Sequence, residues 1–201
     1  MPLQADFQFS QQSLQDYADC MRRFYLRYVV RLRYPAPISE PVLEQEKRMI
    51  RGEHFHHLVH QYFLGIPPEI LSRQINEPVL QGWWENFLMY QPAEDLPRPC
   101  LPEHTLWKRS FGYQLVAKYD LLAIGTGQAV ILDWKTSDKP ASKSTLAKRL
   151  QTLVYPYLLV EAGSSLNNGK PIQPDQVEMI YWFPAVPQLP QVFRYSTSQY
   201  H

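Results

Sequence analysis

Two short segments place acids and lysines at a spacing suited to phosphate chemistry: Lys118-Tyr119-Asp120-Leu121 and Asp133-Trp134-Lys135-Thr136. In the two-residue repeat of a strand, Asp133 and Lys135 share one face while Leu132 and Trp134 point to the other. Gly125, Thr126 and Gly127 separate two apolar runs and signal a hairpin. With the turn centred between Thr126 and Gly127, Asp120 and Asp133 are equally far from that centre and fall opposite each other. Two carboxylates and an ammonium then meet at the end of the apolar run Ala129 to Leu132. Carboxylates this close repel and attract a cation, and all-oxygen ligation suits Mg2+ or Mn2+. Such an ion polarises a phosphoryl oxygen and lowers the pKa of its bound water. Lys135 would orient that water or stabilise the charge that develops on phosphorus. The chemistry indicated is phosphodiester hydrolysis. The alternative is a cross-strand salt bridge on a solvent-facing sheet, because D-x-K triplets are common.

The elements that must position these residues follow from periodicity and punctuation. Leu14, Tyr17, Met21, Phe24 and Tyr28 recur at helical spacing and predict one amphipathic helix over Ser10 to Tyr28, ended by Pro35 and Pro37. Met49, Phe55, Leu58, Val59 and Tyr62 predict a second helix from Val42 to Phe63, stopped by Pro67 and Pro68. Gly52 inside it costs about 1 kcal/mol against Ala, which marks a close backbone approach. A third helix is expected over Pro78 to Tyr90, then an extended proline-rich connection from Gln91 to Pro102. Leu106 to Ile124 and Gln128 to Trp134 read as strand. A helix from Ser144 as N-cap to Ala162 and short strands at Val177 to Phe183 and Val192 to Tyr195 complete the chain. The order gives an α/β domain with a helical N-terminal half.

Composition bounds the rest. The chain has 201 residues, 45% hydrophobic and 13% aromatic, enough apolar surface for one folded domain. Two cysteines exclude a disulfide framework and fit a reducing, cytoplasmic compartment. Met1 to Ser10 lacks the apolar run of a secretory leader, and no stretch is long and apolar enough to cross a bilayer, so no membrane partner is expected. The formal net charge of +1 conceals asymmetry. Arg22, Arg23, Arg27, Arg31, Arg33, Lys47, Arg48 and Arg51 outweigh Glu40, Glu44 and Glu46 between Met21 and Gly52, while Glu69, Glu77, Glu85, Glu94 and Asp95 gather elsewhere. That excess reads either as a basic face for nucleic acid or as a solvated helix surface. Tyr25, interleaved with Arg22, Arg23 and Arg27, is positioned to stack a base while the arginines hold a single strand's phosphates. The competing assignment puts the stripe's aromatics in the core and its arginines in solvent.

In ordered blocks the sequence resembles the RecB-like branch of the PD-(D/E)xK nuclease superfamily. The blocks are Ser13 to Tyr28 (SLQDYADCMRRFYLRY), Gly52 to His56 (GEHFH), Lys118 to Leu121 (KYDL), Asp133 to Thr136 (DWKT) and Gln151 to Leu159 (QTLVYPYLL). The resemblance implies a restriction-endonuclease-like core over residues 1–201, with a small mixed sheet flanked by helices. It implies a Mg2+- or Mn2+-dependent deoxyribonuclease, an exonuclease acting on DNA ends or single strands in repair or recombination. Its metal ligands would be His56, Asp120, Asp133 and the Trp134 backbone carbonyl. Lys135 would be the catalytic lysine, with Gln151 and Tyr155 lining the site from one helical face. Pro156 should kink that helix. DNA is the expected partner, and a separate helicase or other repair protein is a further one, because the chain has no phosphate-binding glycine loop. A silent nucleic-acid-binding or scaffold protein on the same fold is the competing class.

Other residues carry weaker signals. His54, His56, His57 and His60 share one helix, and the four-residue step from His56 to His60 suits a two-histidine zinc site. Ala117 stands where the family usually has glycine. Cys20 matches the first cysteine of iron–sulfur members, but the later cysteine group is missing and Cys100 cannot replace it, so no cluster is expected. Cys20 then reads as a small hydrophobe in a helix. Ser196 to His201 resembles the N-cap of a helix that does not follow, whether the end is natural or truncated.

Overall fold

The computed structural model describes residues 3, 6–32, 40–110, 112–137 and 139–200, with the side chains of 40–43 excepted. Pro35 and Pro37 lie outside the described residues. In chain order the strands are β1 (Gln8–Ser10), β2 (Cys100–Ser110), β3 (Tyr113–Gly125), β4 (Gln128–Trp134), β5 (Val177–Trp182) and β6 (Gln191–Arg194). The helices are α1 (Gln11–Asp19), α2 (Met21–Phe24), α3 (Glu40–Phe63), α4 (Pro68–Ser72), α5 (Pro78–Tyr90), α6 (Lys143–Ala147), α7 (Leu150–Ala162) and α8 (Thr197–Tyr200). Together they make a mixed α/β fold.

The strands form one six-stranded sheet, ordered β1-β3-β4-β5-β6, with β2 also paired to β3. The pairs β1–β3 and β4–β5 are parallel and the others antiparallel. β2 occupies one edge of β3 from Tyr113 to Ala123. The other edge is therefore shared: β1 takes Gln114 to Val116 and β4 takes Leu121 to Gly125. Residues 117–120 of β3 are left without a strand on that side, and a fork opens there in the sheet.

Alternation assigns the two faces. Ala129 and Ile131 of β4 pack with Leu158 and Leu159 of α7, whereas Leu132 and Trp134 pack with Phe55, Trp84 and Phe87 of α3 and α5. Full burial of side chains this large is worth roughly 1.5–3 kcal/mol each, so the sheet is held firmly between two helical layers. In β3 the alternation changes phase: Ala117 and Tyr119, then Leu122 and Ile124, face α7. The change falls at Asp120, opposite Glu103 of β2, whose φ of 52° is left-handed. Asp120 consequently points into the fork instead of onto either layer.

Several sequence expectations need correction. The stretch Ser10 to Tyr28 is not one helix. Ser10 ends β1 and caps α1 through a reciprocal bond with Ser13, and Cys20 is extended (φ −163°, ψ 103°) before α2 passes into a π-helical turn at Tyr25–Val29. Periodicity spans such a one-residue break without registering it. Cys20 is exposed, not a helical core residue. Pro68 opens α4 at its first turn, where a missing N–H costs nothing. Leu106 to Ile124 is two strands turning at Gly112 (φ 83°), and β2 begins at Cys100, inside the segment read as a connection. The helix expected from Ser144 is divided: Ser142 caps α6, and extended Arg149 starts α7. Pro156 lies inside α7 without ending it. A short α8 does follow Ser196.

Candidate active site

The hairpin register is the one spacing gave: Leu121 pairs with Leu132 and Gly125 with Gln128. One step further, at Asp120 and Asp133, the strands separate. Trp134 N–H, released from the ladder, donates to Asp120 Oδ2 at 2.9 Å, while Lys135 N–H donates to the Trp182 carbonyl at 2.8 Å on the β5 side. The N–H and C=O of one residue in a strand leave on the same side, so the Trp134 carbonyl faces the fork.

Asp133 and Lys135 continue the face of Ala129 and Ile131, toward α7. Lys135 Nζ lies 2.6 Å from Asp133 Oδ2 and donates to Gln151 Oε1 at 2.9 Å. Gln151 Nε2 in turn donates to Asp133 Oδ1. Lys135 also sits over the Tyr181 ring, 5.2 Å from its centroid. Tyr155, one turn along α7, donates to the Lys118 carbonyl, and Tyr119 donates back to the Tyr155 carbonyl, each at 2.9 Å. This exchange fastens α7 across the unpaired edge of β3.

His56 arrives from α3, with Nδ1 3.3 Å from Asp120 Oδ1. Gly52, one turn earlier, is what lets α3 come close. A Cβ there would stand 2.6 Å from Thr136 Oγ1, so the close approach read from the sequence is made to the residue after Lys135. Glu103 completes the group from β2, paired with Lys118.

The electrostatics follow from burial and like charge. Asp133 is buried, and its Oδ2 has no hydrogen-bond partner, only the Lys135 contact. Burial pushes its carboxyl up; the Lys135 charge opposes this and the Asp120 charge adds to it, leaving the pKa raised. Burial disfavours the His56 imidazolium, but the hydrogen bond and charge of Asp120, with Asp133 beyond, more than reverse this and raise its pKa. Burial, with Asp133 and Asp120 nearby, also raises Tyr155, which stays a phenol and a donor.

The donor set fits a hard divalent cation. Ligand atoms of His56, Glu103 and Asp120 all lie within 4.8 Å of one another, and Asp133, with its buried Oδ2 against the Lys135 ammonium, flanks Asp120 from β4. His56 turns toward these acids and not toward His60, so the two-histidine site is not assembled. The residues open on a cleft of about 1470 Å³, also lined by Arg48, Lys139 and Arg149. That volume exceeds the 300–1,000 Å³ usual for small ligands and suits a polymer.

The N-terminal residues expected to bind nucleic acid lie apart from this cleft: Arg22, Arg23, Tyr25 and Arg27 are not among its lining. Arg23 and Arg27 hold the buried Asp16 at 2.9 and 2.7 Å, joined by the Tyr28 hydroxyl at 3.1 Å. Phe24 is core, whereas Arg22 and Tyr25 are exposed. Gln11 of α1 does reach the cleft, and Gln15 accepts from Leu150 N–H at the start of α7.

Sequence reasoning missed Glu103, Tyr119 and Tyr181. Glu103 had no element to place it, since the connection was read to Pro102 and the next strand from Leu106. Tyr119 and Tyr181 looked like ordinary strand aromatics.

The fold is a mixed sheet forked at a cluster of carboxylates, a lysine and a glutamine. The sequence matches the PD-(D/E)XK nuclease superfamily over residues 8–199, and the chain belongs to that superfamily, whose nucleases act on nucleic acid with divalent metal ions. Among solved structures it is similar to one described as a "Putative exonuclease" from Eubacterium rectale. The TM-score is 0.52 at 11% identity, covering 95% of this chain and 73% of that one, a likeness of fold. The structure of SSO0001 matches with a TM-score of 0.34 and 11% identity over 75% of this chain and 62% of that one. No curated protein sequence matches. Among the described residues no helix is long and apolar enough to cross a membrane.

Proposed function

We propose that residues 1–201 act as one RecB-like nuclease domain that hydrolyses DNA, as an exonuclease on ends or single strands in repair or recombination. The observation that carries this reading is the continuous set of contacts from His56 through Asp120 to Trp134, and from Asp133 through Lys135 to Gln151, at the mouth of a polymer-sized cleft. His56, Asp120, Asp133 and the Trp134 carbonyl would hold Mg2+ or Mn2+. Bound there, the ion supplies Lewis-acid polarisation of the phosphate and a nucleophilic water.

The chain's own residues do the rest. Lys135, held by Gln151 and the Tyr181 ring, offers a fixed positive charge to the phosphorane oxygens. Gln151 fixes the spacing of Asp133 and Lys135, and Tyr155 keeps the edge at Lys118 open. Arg48, Lys139 and Arg149 supply charge along the cleft for the phosphate backbone. A helicase or other repair protein is the further partner this reading suggests.

The test is incubation of the purified chain with linear and circular, single- and double-stranded DNA in Mg2+ or Mn2+. Metal-dependent product from linear DNA is expected, with circles resisting, and Asp133→Ala and Lys135→Ala proteins that stay folded should give none. No metal-dependent product from any substrate refutes the enzyme, and binding without cleavage would establish a scaffold instead.

A further inference from the structure

We propose, building on the reading that the fork binds a divalent metal, that Glu103 is a further ligand of that metal and that Lys118 holds it until the ion arrives. The β2–β3 register places Pro102 opposite Leu121 and His104 opposite Tyr119, so Glu103 stands directly across from Asp120. Like charges directly opposed on neighbouring strands destabilise a sheet. Asp120 thus has a carboxylate on each flank, Glu103 on β2 and Asp133 on β4, and the two are held differently. Asp133 is buried and gripped by both Lys135 and Gln151. Glu103 is paired with Lys118, whose side chain is 64% exposed. Its lysine partner reaches it from solvent and is easily exchanged, so Glu103, 21% exposed, is the carboxylate able to turn to a cation.

Geometry favours that turn. Metal–oxygen bonds of 2.0–2.1 Å place opposed ligands roughly 4.2 Å apart, and the His56, Glu103 and Asp120 ligand atoms already lie within 4.8 Å. Glu103 also keeps a left-handed backbone, φ 52°, where glycine would be unstrained. A residue needed only to pair with an exposed lysine has no reason to occupy that position.

The test is Mn2+ titration of the full chain without nucleic acid, following free Mn2+ by electron paramagnetic resonance, with unfolding temperature measured in parallel. Glu103→Gln should weaken Mn2+ binding at least tenfold, the lower end of what disturbing a metal's surroundings costs. Glu103→Gly should bind as weakly while its metal-free unfolding temperature equals or exceeds that of the wild type, which separates lost ligation from misfolding. Lys118→Met should tighten binding, because its competing ammonium is gone. Wild-type affinity in Glu103→Gln and Glu103→Gly overturns the assignment of Glu103 alone. Absence of Mn2+ binding by the wild type overturns the metal-dependent reading itself, and this inference with it.

Discussion

Replacing Gln151 by Met isolates the link between Asp133 and Lys135, because Met fills a similar volume without donor or acceptor. Gln151 is buried, 6% exposed, and makes two charge-assisted bonds, to Asp133 Oδ1 and from Lys135 Nζ. Hydrogen bonds to charged groups contribute about 1.5–3 kcal/mol each. The Lys135 side chain is 22% exposed and can regain water, so its bond belongs at the lower end. Asp133 is 4% exposed and cannot regain water, so its bond belongs at the upper end. Allowing about 1 kcal/mol regained from the apolar replacement, the metal-free protein should lose about 2–4 kcal/mol. Urea unfolding at neutral pH would show this as a lower midpoint with unchanged slope. Cleavage should fall by about a hundredfold, the usual cost of roughly 1 Å of misplacement at a reacting centre. Gln151→Glu keeps the acceptor for Lys135 but sets a carboxylate against Asp133, so its deficit should grow as pH rises and both acids ionise. A Gln151→Met protein within about 0.5 kcal/mol of wild type, cleaving at the wild-type rate, would refute the bridging role.

Other perturbations test other parts of the argument. Gly52→Ala should leave the melting temperature nearly unchanged, since a helix gain of about 1 kcal/mol offsets the 2.6 Å approach to Thr136. Displacement of the segment after Lys135 should still slow cleavage, and a full-rate variant contradicts the contact. Asp16→Asn should destabilise by about 1.5–3 kcal/mol without changing cleavage by the folded protein, because Asp16 does not line the cleft. Burial opposes ionisation of Asp16, but Arg27, Tyr28 and Arg23 lower its pKa overall. Its stabilisation is therefore present above the ordinary value of 3.8 and lost as pH falls through the lower folded value, a transition that acid unfolding of the variant should lack. The metal-free fold should lose stability as pH rises. The raised His56 contributes fully below 6.5 and fades through its higher folded value, while ionising the raised Asp133 costs stability as pH climbs from 3.8 through its folded value. Unfolding free energies measured in chelator from pH 4 to 8 should slope downward, and Asp133→Asn and His56→Gln should each flatten the slope; a flat wild-type profile contradicts both directions.

What the sequence disclosed was whatever depends on local spacing. The centre of the Gly125-Thr126-Gly127 turn gave the register of β3 on β4, and alternation gave the shared face of Asp133 and Lys135, as the structure shows. The glycine at position 52 announced its close approach, and Pro78–Tyr90 forms α5 at the expected bounds. What stayed hidden depends on contacts distant in the chain. β1 is three residues long and acquires strand geometry only by pairing with Gln114 to Val116. The break at Cys20 turns α2 back so that Arg23 and Arg27 meet Asp16, and no periodicity encodes that buried charge. Of the arginines that suggested a nucleic-acid face, Arg23 and Arg27 are engaged with Asp16, while Arg48 lines the cleft with Lys139 and Arg149.

The fork also explains why chemistry and stability share residues here. Opening a sheet in a buried region strands backbone donors and acceptors, each costly unless paired. In this protein the side chains of the site supply the partners. Asp120 takes the Trp134 N–H and Tyr155 caps the Lys118 carbonyl, while β5 takes the Lys135 N–H through Trp182. The gap in the ladder is thus closed by the groups that also present two carboxylates, a lysine and a phenol to the cleft. Glu103, Asp120 and Asp133 are each held by a basic side chain, Lys118, His56 and Lys135 in turn. A chain with a formal net charge of +1 therefore gathers three carboxylates around one fork, and it does so by placing a basic side chain against each of them.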